Sequence, residues 1–310
     1  MDYLKQHLSL SQQADRLIKR GLVANKSELE QRLADVSYYR LSSYWYPFRL
    51  VDPVTFKRED DLRPGTSLDL IWDHYIFDRQ LRFLLMDAIE RIEVSIRSRL
   101  VYFLTETDGP FGYTSASIFS DPLLHQKWIK RVRCCVDRAR KSSPCVKHFF
   151  KTYGDRHVDP PLWITAEVLD FGGMSNFFSG VRKDIRNKAV KSLGISAAVL
   201  DSWLTCLNAV RNSCAHHEYI WCRVWINKPM FPKADALWKS SISQVLSATD
   251  FYRSGTGTIL VMCRYLLRII APTSEWHRRA EALFARFSGK GIDYSRMGLP
   301  QAWQSHPLWK

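Results

Sequence analysis

From Leu68 to Leu104 the sequence carries one long helical period, and this stretch limits the folds open to the rest of the chain. Phe77, Leu81, Leu84, Leu85, Ala88, Ile92 and Ile96 follow one another at helical spacing and make a single apolar stripe. Phe83, Met86 and Val94 fall on the other side, so the pattern predicts a central helix packed on two sides. Glu90 and Glu93 would then be partly buried, and a buried carboxylate needs a cation or hydrogen bonds; Arg211 is a candidate partner.

The flanking segments also read as helices. Ser9 and Gln12 have capping-box spacing, with Gly21 and Leu22 placed to close that helix after Arg20. A second helix is expected from Asn25 or Ser27 to about Leu33, and Thr66 or Ser67 can cap the long one. Residues 51–65 read as a polar loop. Asp108-Gly109-Pro110 breaks the long helix, and a basic helix is expected from Leu123 to Lys141. Another should run from Asp159-Pro160-Pro161 to Gly172-Gly173 with Glu167 inside it. Ser192 to Ala198 leads into a further helix, and two more are expected at Ser241 to Leu246 and Thr258 to Ile270. With no alternating strand, no glycine-rich phosphate loop and no repeat, the reading is all-α. Three segments are expected in one compact unit: 1–66, a 67–228 core, and a 229–310 extension.

Lys and Arg outnumber Asp and Glu by 45 to 31, and the excess of +14 favours polyanionic partners, nucleic acid first and an anionic membrane surface second. On the basic helix Lys127, Lys130, Arg131, Arg133, Arg138 and Arg140 are either RNA contacts or a solvated face. The aromatic run Tyr38 to Phe48 is either a packed core or, through Tyr39 and Arg40, a place to stack bases. No apolar run approaches the ~20 residues a membrane span needs, and the first residues are not an apolar signal, so a cytoplasmic location is expected. The seven scattered cysteines contain no Cys-x-x-Cys and read as reduced buried thiols.

Arg211-Asn212-Ser213-Cys214-Ala215-His216-His217 concentrates the chemistry. Arginine supplies a permanent cation, and histidine is the side-chain type that titrates near neutral pH, a combination suited to phosphate chemistry. If the helix continues to Trp221, then Leu200, Leu204, Leu207, Cys214 and Trp221 face the core. Ala198, Ser202, Thr205, Ala209, Asn212 and His216 then form a small-residue face that a second copy of the chain could meet. On an ideal helix Arg211 lies about 140° from His216. It must therefore wrap round, sit on a distorted helix, act on the other subunit's histidine, or serve structurally with Glu90 or Glu93. Cys214, His216, His217 and Cys222 match no usual zinc spacing, so no metal and no other cofactor is expected.

Tyr38 to Phe48, Phe77 to Arg82 with Asp87 to Glu93, and Pro161-Leu162-Trp163 with Glu167 and Phe171-Gly172 continue into Arg211 to His217 and Trp221. The set closes with Met297 to Pro300 and Trp303. Together these segments resemble the Abi (abortive infection) proteins of the AbiD and AbiF type, phage-resistance proteins placed in the HEPN superfamily. The resemblance implies an all-α HEPN-type bundle with added N- and C-terminal helices. It also implies metal-independent RNA cleavage by Arg211 and His216, with Asn212 orienting and His217, Glu90, Glu93 and Glu167 supporting, in a homodimer. A non-catalytic RNA-binding role, with Arg211 and His216 structural, is the alternative. The chain departs from the family at Glu218, Tyr219 and Cys222, within a stretch, Glu218 to Arg223, where a small residue, Arg, an aliphatic residue, Trp, Asn and Arg are usual.

Overall fold

A computed structural model describes residues 6–233, 254–299 and 303–310. The fold is all-α, with twelve α-helices and one two-stranded sheet among the described residues. It separates into two units, residues 1–82 with 281–293, and residues 83–280 with 294–310. This division differs from the three segments expected: it falls inside the long helix, and the C-terminal region contributes to both units.

In the first unit, α1 (Leu10–Lys19) starts from the Ser9–Gln12 capping box and ends at Gly21, whose φ is +93°. There Leu22 N–H closes on Leu17 O at 3.1 Å. Asn25 caps α2 (Lys26–Val36) and Ser37 caps α3 (Tyr38–Trp45). The aromatic segment divides: Tyr44 and Trp45 are buried, whereas Tyr39 is 88% exposed. The predicted polar loop is instead an antiparallel hairpin, β1 (Arg49–Val51) with β2 (Arg58–Leu62). Its strands face solvent almost throughout and carry Arg58-Glu59-Asp60-Asp61, so no apolar alternation announces them. Asp52 makes the turn, its carboxylate accepting the Val54 and Thr55 N–H groups.

The long helix α4 (Leu68–Asp108) starts under the Ser67 hydroxyl, which accepts the Leu70 N–H at 3.1 Å. Its N-terminal part carries a buried polar triad of the first unit. Tyr44 Oη donates to Asp78 Oδ2 at 2.7 Å, and the Arg82 guanidinium donates to the same oxygen. Burial, with the Asp78 charge adding to it, drives the Tyr44 phenol far above its ordinary range. The two aromatic and charged sequence segments thus meet in one buried cluster.

The second unit contains the rest of α4 together with α5 (Pro122–Ala139), α6 (Pro144–Tyr153), α7 (Leu162–Glu167), α8 (Phe171–Gly180), α9 (Lys183–Val190), α10 (Ala197–Ala215) and α11 (Thr256–Ile270). The last helix, α12 (Trp276–Arg286), continues into the first unit. All seven residues of the predicted α4 stripe are buried. The two-sided reading of this helix is corrected: Phe83 is 65% and Val94 46% exposed, and Glu90 is exposed rather than partly buried. Trp128 stacks on Phe177 at 4.5 Å and donates to Gly173 O at 3.0 Å, which joins α5 to α8. Gly180 lies so close to the Phe119 ring that a Cβ there would collide with it. The predicted helix at Ser241 to Leu246 lies outside the described residues. Among those described, no single helix is long and apolar enough to cross a membrane, and the seven cysteines are free thiols, although Cys134 and Cys145, on the solvent side of their helices, are exposed rather than buried.

Candidate active site

The Ser196 hydroxyl accepts the Val199 N–H and starts α10. Leu200, Leu204, Leu207 and Cys214 are buried, and Ala198, Thr205, Asn212 and His216 are exposed, but Ser202 and Ala209 of the expected outer face are half-buried, Ser202 accepting the Met230 N–H at 2.9 Å. The end of the helix differs from expectation. Residues 211–221 are not one helix: α10 stops at Ala215, with His216 as its C-cap. His217 takes the left-handed conformation at φ +58°. Its N–H reaches Cys214 O at 3.0 Å, and Glu218 N–H reaches Ser213 O at 2.9 Å. This is a Schellman ending built without glycine. Trp221 is still buried, but from the segment beyond the helix, which is pinned where Thr256 Oγ1 donates to Ile220 O at 2.6 Å.

A histidine in left-handed backbone costs roughly 1 kcal/mol that glycine would avoid. His217→Gly is therefore expected to raise the urea midpoint of the second unit slightly. A lowered midpoint would show that the imidazole contributes more than the backbone costs.

Arg211 is half-buried, and its Nη1 donates to Asn212 Oδ1 at 3.5 Å. No hydrogen bond or ion pair among the described residues joins it to His216, nor to Glu90 or Glu93. Glu93 is instead paired with Arg97, Nη2 to Oε1 at 2.6 Å. Burial pushes the Glu93 carboxyl above the usual range, against the opposing pull of Arg97 and Arg211. Arg97 also donates to Leu169 O at 3.1 Å and lies 3.9 Å from Glu167, which ends α7 and is exposed.

Gly172 and Gly173 open α8 rather than closing the preceding helix, which corrects the sequence reading. Asp170 is the N-cap of α8 and accepts the Gly173 N–H at 2.7 Å. Arg131 Nη2 donates to both Asp170 oxygens, at 2.9 and 2.6 Å. Burial raises the Asp170 carboxyl, but the Gly173 N–H, Arg131 and Arg211 together bring it below its ordinary value. A Cβ on Gly172 would sit 3.5 Å from both Arg131 and Asn208, so α5, α8 and α10 converge there. Arg97, Asp170 and Asn208 were not identified from sequence. Asn208 lies one turn before Asn212, and Asp170 precedes Gly173 at capping distance, so both carried a local signal.

Beyond the helix, Glu218 is ion-paired with Arg223 and accepts the Ser213 hydroxyl at 2.9 Å. Arg223 first, then Ser213, lowers its carboxyl, and the nearby His216 adds to the effect. Glu218, where the sequence departs from the expected pattern, is thus held by Arg223, where it does not.

The cations of α5 are all exposed, but several are engaged. Arg133 holds Asp159 at 3.0 and 2.7 Å, Arg140 pairs with Asp137 at 3.1 Å, and Arg138 contacts the Cys135 sulfur at 3.3 Å. Lys127 and Lys130 have no ion-pair partner among the described residues. Lys127 and Arg131 line a cleft of about 380 Å³ with Asn176 and Ser179. Tyr39 and Arg40 are exposed in the first unit. Among the described residues no group of three His, Cys, Asp or Glu side chains is placed to hold a metal ion.

In this all-α protein Asn212 and His216 stand at an exposed helix end beside a network of charged side chains. A family model described as Abi-like protein matches residues 31–222, from within α2 to beyond the ending of α10. The chain belongs to the Abi-like protein family, which connects it with abortive infection, a form of phage defence. No curated protein and no solved structure shows significant similarity to it.

Proposed function

We propose that the chain is an endoribonuclease toxin of phage defence, HEPN-like and independent of metal. The observation that carries this reading is the exposed ending of α10, where Asn212 and His216 face outward and Arg211 reaches Asn212. A fixed backbone that holds a reactive side chain in the open is an arrangement useful in catalysis.

In the reaction, His216 takes the proton of a ribose 2′-hydroxyl, and the 2′-oxygen bonds to phosphorus. The bond from phosphorus to the 5′-oxygen breaks, and that oxygen receives a proton. Arg211 stabilises charge on the phosphate, and Asn212 holds the imidazole or a phosphate oxygen. Base and acid are needed on opposite sides of the phosphorus. The small exposed face of α10 would let a second subunit bring the partner subunit's His216 to the other side, so the active form is a homodimer. Lys127 and Lys130 offer positive charge to the RNA backbone. Glu93, Arg97 and Asp170 keep the charged surroundings of Arg211 in place.

The test is incubation of the purified protein with total cellular RNA and, separately, with DNA, in the presence and absence of EDTA. RNA ends carrying 2′,3′-cyclic phosphate and 5′-hydroxyl are expected with or without chelator, and intact DNA. Cleavage stopped by EDTA, or 3′-hydroxyl ends, would reject the mechanism.

A further inference from the structure

The first unit carries a second basic feature that the nuclease reading does not use. A pocket of about 480 Å³ lies between the end of α1, the start of α3 and the hairpin. Arg16, Arg20 and Arg49 line it together with Tyr38 and Tyr39. Asp60, the one carboxylate in its lining, holds two of these arginines: it is ion-paired with Arg20 and lies 3.2 Å from Arg49 Nη2. Arg20 Nη1 also donates to Tyr38 Oη at 3.0 Å. Two guanidiniums are thereby fixed, while Arg16 is exposed and forms no ion pair among the described residues. Arg49 itself is mostly buried, so its guanidinium is held in place by its surroundings as well as by Asp60.

We propose that this pocket binds a nucleotide 5′-phosphate, either a free mononucleotide or the 5′ end of an RNA strand. Three guanidiniums against one carboxylate leave an excess of two positive charges, which matches a phosphate monoester close to its dianionic form. Guanidinium groups meet phosphate oxygens in paired, planar geometry, which a lysine cluster would not provide. Tyr39, 88% exposed, presents a ring face beside these cations, and a base can stack there while its phosphate sits among the arginines. The volume lies in the range of single-ligand pockets and holds one nucleotide rather than a duplex.

The proposal does not depend on cleavage at His216, and its test uses ligands that such cleavage cannot consume. Adenosine 5′-monophosphate, adenosine, inorganic phosphate and a 5′-phosphorylated, 2′-O-methylated dinucleotide are titrated calorimetrically into the full chain. The monophosphate is expected to bind about 10-fold or more tighter than adenosine or inorganic phosphate, because it engages the guanidiniums and the tyrosine ring together. Arg16→Ala should weaken it about 10- to 100-fold, as loss of a charged hydrogen bond implies. Tyr39→Ala should weaken it about 10-fold without changing phosphate binding. Neither side chain makes a hydrogen bond among the described residues, so both variants should fold. Tighter binding of the dinucleotide identifies an RNA end as the ligand, and equal binding a free nucleotide. Inorganic phosphate bound as tightly as the monophosphate, no binding at millimolar concentration, or wild-type affinity in both variants would overturn the assignment.

Discussion

His216→Ala is expected to reduce RNA cleavage by about 10²- to 10⁴-fold, the usual contribution of a positioned acid or base, while the fold and RNA affinity stay near wild type. The structural half of this expectation follows from position. His216 is exposed, and the one hydrogen bond that matters to the helix end, its N–H to Asn212 O at 2.9 Å, belongs to the backbone and survives in alanine. Loss of activity without loss of stability would thus report on chemistry. Arg211→Ala should lower turnover by about 10²- to 10³-fold, as removal of a transition-state donor does, and Arg211→Lys should restore little because the planar fork is lost. The measurement is single-turnover cleavage of a labelled RNA, with urea unfolding of each variant alongside. A His216→Ala protein that cuts at the wild-type rate would remove His216 from the mechanism. An unfolded Arg211→Ala protein would shift Arg211 toward a structural role beside Glu93 and Asp170.

Asp78→Ala should have the largest effect on stability. Asp78 is fully buried and Arg82 is 6% exposed. Removal of the carboxylate takes from the buried Arg82 guanidinium and from the Tyr44 hydroxyl the Asp78 oxygen to which both donate. A broken buried pair of this kind costs about 3–5 kcal/mol. Asp78→Asn keeps an acceptor for Tyr44 and should lose less. The double change Asp78→Leu with Arg82→Met removes both charges and should recover much of the loss, because burial of an ion pair returns little over apolar packing. Urea midpoints of the four proteins decide the matter. If Asp78→Ala and the double variant lose equal amounts, hydrogen bonding to Tyr44 outweighs the ion pair.

These residues also show which parts of the molecule could be read from the sequence. Features encoded within one or two turns were legible: the capping box at Ser9, the caps at Asn25 and Ser67, each one of two offered, the entry to α10 between Ser192 and Ala198, and the α4 stripe. So, Ser202 and Ala209 apart, was the inward and outward division of α10. Features decided by contacts distant in sequence were not. Asp78 and Arg82 are spaced for an ion pair, but only their meeting with Tyr44 gives that pair its environment. Arg97 captures Glu93 because the α7–α8 junction supplies Leu169 O and Glu167. The exposed hairpin gave no apolar alternation. Glycine signals misled twice: Gly172 and Gly173 open a helix, and α10 ends at a histidine where glycine would be the usual mark.

That ending has a consequence in time as well as in space. The amides of His216, His217 and Glu218 are tied to carbonyls of the last turn of α10, so they separate from the helix only when that turn opens. The Ser213–Glu218–Arg223 contacts close the same short loop from its side chains. The main chain that carries the histidine therefore moves with helix opening, and not at the faster rate of a surface loop. An RNA strand that reaches the site meets a group whose main-chain position is already set, and only the imidazole's own rotation remains to be ordered.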